Sequence, residues 1–126
     1  YRMQDKARAV GFDWEERGQV WDKVKEELAE FHAELDQTLS DPTDAQARAK
    51  AEGEFGDVLF SIVNAGRLYD LNPDTALERT CAKFRRRFTY LEEHTIRQGR
   101  DLKDMTLAQM DEIWDEAKAL EKEGKL

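Results

Sequence analysis

Apolar residues recur at helical spacing in the first third of the chain. Between residues 13 and 39 they lie three or four positions apart, at Trp21, Val24, Leu28, Phe31 and Leu35. This period is typical of an amphipathic helix with one buried face. Asp13, followed three positions later by Glu16, predicts a capping box at the start of that helix. A short helix over the first ten residues is expected before it, ending at Gly11.

Two further helices are predicted in the middle of the chain. The second long helix is expected to begin at an Asp-Pro turn, with Pro42 in its first turn, and to end near Leu71. Asn72-Pro73 has the sequence of an N-cap followed by a first helical residue. It therefore predicts a third long helix, for which Gly99 is the expected C-terminal stop.

The last helix is marked by a capping box of Thr106 and Gln109. No stretch alternates apolar and polar residues for long enough to predict a strand. Four substantial helices with short connections therefore predict an all-α, four-helix bundle-like domain. We expect one such domain over residues 1–126, and we expect it to pair with a second copy because a small bundle gains core area by pairing.

Composition narrows the classes of function. The chain is 38% charged and 40% hydrophobic, which allows a single core beneath a strongly polar surface. Its net charge of -8 argues against a nucleic-acid binder, and its apolar runs are far too short to span a bilayer. Cys81 is the only cysteine, so we expect a reducing, cytoplasmic location. The chain begins at Tyr1 without an initiator methionine, as a fragment or a processed product of a longer protein would.

Two pairs of carboxylates lie on the first two long helices. Glu27 and Glu30 share one edge of their helix, as Glu54 and Asp57 share one edge of theirs, because residues three apart are neighbours on a helix. Antiparallel packing would bring all four together, and such a cluster needs a cation to stay ionised. Oxygen ligands alone suit magnesium or manganese better than zinc. On spacing alone, a solvated acidic face is the alternative interpretation.

A basic segment of the third helix is a candidate for binding an anion. Lys83 and Arg87 lie four positions apart on one face, and Arg86 lies beside Arg87. In a chain of negative net charge, this segment concentrates positive potential locally. The alternative is a solvated basic stripe whose surface ion pairs contribute little to stability.

Other side chains are weaker candidates for substrate contacts. Asn64 lies two turns beyond the second carboxylate pair, and Lys23 lies one turn before the first. A satisfied polar group at a helix interface and an ordinary ion pair are their respective alternatives. Trp114 and Lys118 lie four apart on the last helix, where core packing is the default for the tryptophan. Trp14 is expected either to pack against a base or to staple the helix entry.

Several motifs together resemble the MazG family of all-α nucleotide pyrophosphohydrolases. The Glu-Glu-x-x-Glu of residues 26–30 and the Glu-x-x-Asp of residues 54–57 look like the metal-binding signature of that family. The Lys-Phe-Arg-Arg-Arg-Phe block of residues 83–88 and the Gly-Phe-Asp-Trp of residues 11–14 are similar to the second, catalytic domain of tandem MazG proteins. The pair of Trp114 and Lys118 extends the resemblance to the last helix.

The resemblance implies a reaction and a set of residues for it. The reaction is hydrolysis of nucleoside triphosphates between the α and β phosphorus atoms, giving a monophosphate and pyrophosphate. The residues that would hold magnesium are Glu27, Glu30, Glu54 and Asp57. The implied substrate contacts are Lys83, Arg86, Arg87, Trp114 and Lys118. Homodimers and a broad tolerance of bases are also typical of the family.

Two alternatives to this interpretation stay open. The first is a dUTPase-like or phosphoribosyl-ATP pyrophosphatase-like enzyme of the same all-α superfamily, which the basic block and the Trp-Lys pair make less favoured. The second is a catalytically silent helical module for dimerisation or scaffolding. In that case the acidic residues decorate the surface, and magnesium has no effect on stability.

Overall fold

The computed structural model describes residues 1–126, except for the side chain of Leu39. Its helices are α1 (Arg2–Ala9), α2 (Gln19–Ser40), α3 (Ala45–Leu68), α4 (Pro73–Arg97) and α5 (Leu107–Lys122), with a 3-10 turn at Leu102–Asp104. No strand occurs in the described part of the chain. The prediction of an all-α fold with four long helices is therefore confirmed.

The chain divides into two compact units. Unit 1 is Tyr1–Pro73 and contains α1, α2 and α3, whereas unit 2 is Asp74–Leu126 and contains α5 and all but the first residue of α4. None of the described helices has both the length and the apolar composition that a membrane span requires.

In unit 1, α2 and α3 pack antiparallel. The rings of Phe31 and Phe55 stack with their centroids 5.2 Å apart. Towards the start of α2 and the end of α3, the Trp21 indole N–H donates to the Tyr69 hydroxyl at 3.2 Å. Because low numbers on one helix meet high numbers on the other, the helices run in opposite directions. Helix α1 is tied to α3 by the Gln4 side-chain nitrogen, which donates to a backbone carbonyl at 2.8 Å.

Unit 2 is a hairpin of α4 and α5 with an apolar core. Leu91, Met105 and Ile113 are buried together. Thr95 is also buried, and its hydroxyl donates to the Leu91 carbonyl at 2.7 Å, so the polar group is satisfied. The ring of Trp114 packs against this core from the half-buried margin.

Two of the expected helix starts are wrong. Helix α2 begins at Gln19 and has no side-chain cap, so Asp13 does not form the predicted capping box. Helix α3 begins at Ala45, three residues after Pro42, and its N-cap is Asp44, whose carboxylate accepts two backbone N–H bonds. For α2, the Asp13 carboxylate is paired with the distant Arg67 instead. For α3, the Asp41 carboxylate accepts from Thr43 in a local turn, and Asp44 supplies the cap.

Other helix boundaries follow the sequence closely. Thr106 and Gln109 form the predicted capping box of α5. Helix α4 begins at Pro73 as expected. Gly99 follows its last turn with a φ of 68°, a left-handed conformation that glycine adopts without strain. Helix α3 ends at Leu68, a few residues earlier than predicted.

Candidate metal and substrate site

Three carboxylates from α2 and α3 lie close together in unit 1. One oxygen atom from each of Glu27, Glu30 and Glu54 lies within 4.8 Å of the other two. We call these three residues the carboxylate cluster. The antiparallel pairing of the two helices produces it, because it sets one turn of α2 against one turn of α3. Three of the four predicted metal ligands are thus brought together.

The electrostatics of this cluster favour a bound cation. Glu27 is 6% exposed, and one carboxylate oxygen of Glu27 and one of Glu54 are buried with no hydrogen-bond partner among the described residues. Burial, together with the neighbouring charges of Glu30 and Asp57, raises the pKa of Glu54. Buried carboxylate oxygens without partners are costly, and a divalent ion with oxygen ligands would offset that cost. The residues present therefore fit magnesium or manganese.

Asp57 stands at the edge of this group. Its side chain is exposed, and it is not among the residues whose oxygen atoms meet within 4.8 Å. It lies one turn beyond Glu54 on α3 and contributes to the raised pKa of that residue. It also lines a cavity that Glu27 borders from α2.

That cavity lies within unit 1 and has a volume of about 690 Å³. We call it the unit 1 cavity. Its charged and amide-bearing walls include Lys23, Glu27, Asp57, Asn64 and Arg67. Its apolar and aromatic walls include Met3, Ala7, Phe12, Trp14 and Phe60. A mixture of aromatic surface and a few convergent polar groups is typical of a small-molecule site, and the volume is in the usual range for one.

Lys23, Asn64 and Trp14 all line this cavity, as a substrate role would require. The Lys23 ammonium lies 2.7 Å from a Glu27 oxygen, which is the ordinary ion pair that the spacing also allowed. Trp14 is 38% exposed, so part of its ring stays available to solvent. Lys23, Asn64 and Trp14 therefore remain predicted contacts, each now placed at the wall of one cavity.

A buried arginine at this cavity was missed from the sequence. Arg67 is 6% exposed and pairs with Asp13, with its Nη2 2.6 Å from Asp13 Oδ1. This bond lowers the pKa of Asp13. Arg67 also donates to the Asn64 side-chain oxygen. The sequence shows Asp13, Asn64 and Arg67 only as separate polar residues. Asp13 and Arg67 lie 54 positions apart, and no local pattern joins them.

Glu34 was also missed. It lies one turn beyond Glu30 on α2 and is buried, with one oxygen 2.9 Å from the Lys50 ammonium and the other without a partner among the described residues. Its charge also contributes to the raised pKa of Glu54. The i, i+4 spacing from Glu30 could have identified it as an extension of the acidic edge.

The predicted contacts in unit 2 take part in internal pairs. Arg87 donates to both oxygens of Glu121, at 3.0 and 2.9 Å, and this bidentate pair lowers the pKa of Glu121. Arg86 lies 3.9 Å from the same carboxylate. Lys83 is half-buried and Lys118 is exposed.

Trp114 has the core contacts that its apolar stripe indicated. Its ring centroid lies 5.3 Å from that of Phe84, and it packs against the buried cluster of unit 2. Its predicted role at a nucleotide stays a prediction.

Comparisons with known proteins identify the family. A nucleoside triphosphate pyrophosphohydrolase/pyrophosphatase MazG of Thermotoga maritima is 38% identical over 117 residues, which cover 93% of this chain and 42% of that protein. A nucleoside triphosphate pyrophosphohydrolase of Escherichia coli K12 is 36% identical over 120 residues, covering 95% of this chain and 43% of that protein. An uncharacterized protein YabN of Bacillus subtilis is 49% identical over 71 residues, 56% of this chain and 14% of YabN.

No protein-family model matches the chain. The chain spans less than half of the length of the curated relatives it matches. The similarity nevertheless extends over nearly all residues of this chain, and it includes both helices that bear the carboxylates. The chain is therefore a MazG-like domain.

Proposed function

We propose that residues 1–126 form a single pyrophosphohydrolase domain that cleaves nucleoside triphosphates, ribo- and deoxyribo-, between the α and β phosphorus atoms. The products are a nucleoside monophosphate and pyrophosphate. The observation that carries this proposal is the carboxylate cluster. Two of its members, Glu27 and Glu54, each have a buried oxygen without a partner among the described residues, and Glu27 also lines the unit 1 cavity. The names of the two long relatives support the reaction class.

Magnesium is the proposed cofactor, with manganese as a substitute. Glu27, Glu30, Glu54 and Asp57 would hold it. A bound ion of this kind supplies charge neutralisation for the phosphates and lowers the pKa of a bound water. The buried, unpartnered oxygens of Glu27 and Glu54 support these two as inner ligands. Asp57, exposed at the cavity wall, is the ligand that must turn inward or act through water.

The cavity walls suit the two chemically different ends of a nucleotide. Lys23 and Asp57 lie near the Glu27 wall, where phosphate groups would meet positive charge and metal ligands. Trp14, Phe12 and Phe60 offer flat apolar surface for a base. Binding of phosphate by Lys23 requires its ammonium to share or leave the 2.7 Å pair with Glu27.

The contacts proposed in unit 2 rest on the resemblance to MazG enzymes. They are Lys83, Arg86, Arg87, Trp114 and Lys118. Arg87 is already held by Glu121, so a phosphate must compete with a bidentate carboxylate or use the remaining guanidinium nitrogen. Lys118 and Lys83 carry no ion pair among the described residues and are the less constrained cations.

A homodimer is the proposed assembly, and the cytoplasm the proposed location. In unit 1, side chains of α2 and α3 leave large apolar surfaces exposed: Leu28, Phe55, Leu59 and Ile62 are each about half exposed. A second copy would remove that surface from water, at roughly 25 cal/mol per Å². The single cysteine supports a reducing compartment.

The proposed reaction is tested by offering each ribo- and deoxyribonucleoside triphosphate with magnesium and measuring pyrophosphate and orthophosphate separately. We expect pyrophosphate and the monophosphate in equal amounts. Release of orthophosphate alone would refute cleavage between the α and β phosphorus atoms. No product from any nucleotide, together with no binding of magnesium by calorimetry, would favour a scaffold module.

The matched pair of variants for this assay is Glu27→Gln and Glu26→Gln. Glu26 is adjacent in sequence but its side chain is 58% exposed, whereas that of Glu27 is 8% exposed. Glu27→Gln should lose pyrophosphate release, whereas Glu26→Gln should keep it. Equal losses in both variants would indicate a general effect of charge rather than a ligand at Glu27.

A further inference from the structure

Arg67 is the centre of a buried polar network in unit 1. Its Nε and Nη2 donate to Asn64 Oδ1 at 3.1 and 2.8 Å. Its Nη2 and Nη1 donate to Asp13 Oδ1 and Oδ2 at 2.6 and 3.3 Å. The guanidinium is thus shared between two acceptors and is almost completely buried.

This network determines which way the Asn64 amide points. A guanidinium has five N–H donors and no acceptor, so only the oxygen of an amide can face it favourably. The opposite orientation would set amide N–H groups against guanidinium N–H groups. The amide nitrogen of Asn64 is therefore turned away from Arg67, and it has no hydrogen-bond acceptor in the described part of the chain. Asn64 lines the unit 1 cavity.

Asp13 stabilises the buried charge of Arg67. A buried guanidinium without a counter-ion is strongly destabilising, and the Asp13 carboxylate supplies that counter-ion. Asp13 belongs to the connection between α1 and α2, which also brings Phe12 and Trp14 to the cavity wall. Arg67 thus fixes both an amide on α3 and the segment that carries an aromatic wall.

We propose that Arg67 is a positioning residue, which presents the Asn64 amide nitrogen as a hydrogen-bond donor to an oxygen atom of the nucleoside part of the ligand. Asn64 lies seven residues beyond Asp57 on α3, a rise of about 10 Å. That distance separates it from the metal end of the cavity and from the phosphates proposed there. The nature of the ligand rests on the proposed function, whereas the orientation of the amide rests on the network alone.

The decisive variant is Asn64→Asp. It keeps an oxygen for Arg67 and nearly the same shape, but it has no N–H to donate. We expect the chain to fold as stably as the wild type, the KM for nucleoside triphosphates to rise about tenfold, and kcat to change by less than about threefold. Inorganic triphosphate serves as a competitive probe that lacks a nucleoside.

The inhibition constant of inorganic triphosphate should stay unchanged in Asn64→Asp. If the added negative charge merely repelled phosphate, that constant would rise at least as much as KM, and the proposal would be wrong. Unchanged KM in Asn64→Asp would also overturn it.

Arg67→Lys provides the test of positioning. A lysine keeps the charge but cannot hold Asn64 and Asp13 in a fixed fork. We expect a KM increase similar to that of Asn64→Asp, and no further increase when the two substitutions are combined, because both remove the same donor. Additive increases would show that Arg67 acts independently of the Asn64 amide and would contradict the proposal.

Failure of the proposed reaction can be separated from failure of this inference. If the wild type releases no pyrophosphate, the same variants are compared by calorimetry with a nucleoside monophosphate in place of substrate. Binding that weakens about tenfold in Asn64→Asp supports the donor role. Equal binding, or no binding to the wild type, refutes it.

Discussion

The two units bury different kinds of side chain. In unit 1 the buried residues include one serine and four larger polar or charged side chains, those of Gln4, Glu27, Glu34 and Arg67. Its buried apolar cluster is small and consists of two valines and an alanine. In unit 2 the buried cluster is made of larger apolar side chains, supported by half-buried aromatic rings.

The difference extends to how well the polar atoms are satisfied. Every buried side-chain nitrogen or oxygen atom without a hydrogen-bond partner in the described part of the chain lies in unit 1. These atoms belong to Gln4, Glu27, Glu34 and Glu54. Each such atom costs about 1–3 kcal/mol of folding free energy. In unit 2, by contrast, the half-buried guanidinium of Arg87 is paired with the Glu121 carboxylate. Unit 1 has thus kept a costly set of acceptors, which is understandable if a cation and a ligand complete them.

The largest effect is expected for the carboxylate cluster. Glu54→Gln should reduce turnover by on the order of a hundredfold or more, because an amide is a poor ligand for a hard divalent ion. Helical content should not change. Magnesium at a hundred times its Kd should stabilise the wild type by about 2.7 kcal/mol, and the variant by much less. Turnover and thermal unfolding with and without magnesium measure both effects.

Glu52→Gln is the control for that variant. It lies on the same helix two residues earlier, is exposed, and makes the same change of charge. It should behave as the wild type does. If Glu54→Gln kept full turnover, or if both variants lost it equally, Glu54 would not be a ligand and the contrast between the units would lose its functional meaning.

Helical period allowed much of this site to be predicted from the sequence. Glu27, Glu30 and Glu54 meet as expected because residues three apart share a helix edge and the two helices pack antiparallel. The capping box of Thr106 and the glycine stop of α4 are equally local, and both were predicted correctly.

What could not be predicted depends on distant contacts. Asp13 fits a capping-box pattern, yet its carboxylate pairs with Arg67, and a charge-assisted bond to a buried guanidinium is stronger than a cap at an exposed helix start. The sequence gives no sign that residues 13 and 67 meet. For the same reason it could not tell which end of the Asn64 amide faces the cavity.

A smaller effect, on stability alone, is expected from the core of unit 2. Leu91→Ala removes a side chain that is 4% exposed and should lower the free energy of unfolding by about 2–5 kcal/mol. Leu107→Ala, on the exposed surface of α5, should cost less than about 0.5 kcal/mol. Urea unfolding measures both. Neither variant should alter the affinity for magnesium at temperatures where it is folded. A weaker affinity in folded Leu91→Ala would contradict an effect on stability alone.

The smallest effect concerns pH and the ion pair of unit 2. Arg87 lowers the pKa of Glu121 in the folded chain below its ordinary value of about 4.5. The pair therefore stabilises the fold at and above that pH, and its contribution is lost as the pH falls through the lowered pKa. Glu121→Gln should reduce the thermal midpoint at neutral pH and make its decline below about pH 4.5 shallower than in the wild type. Glu123→Gln, which changes an exposed partner of Lys125, should leave the profile unaltered. If the thermal midpoints of the wild type and Glu121→Gln ran parallel down to about pH 3, the pair of Arg87 and Glu121 would contribute nothing to stability. Arg87 would then be as available to bind a phosphate as the exposed Lys118.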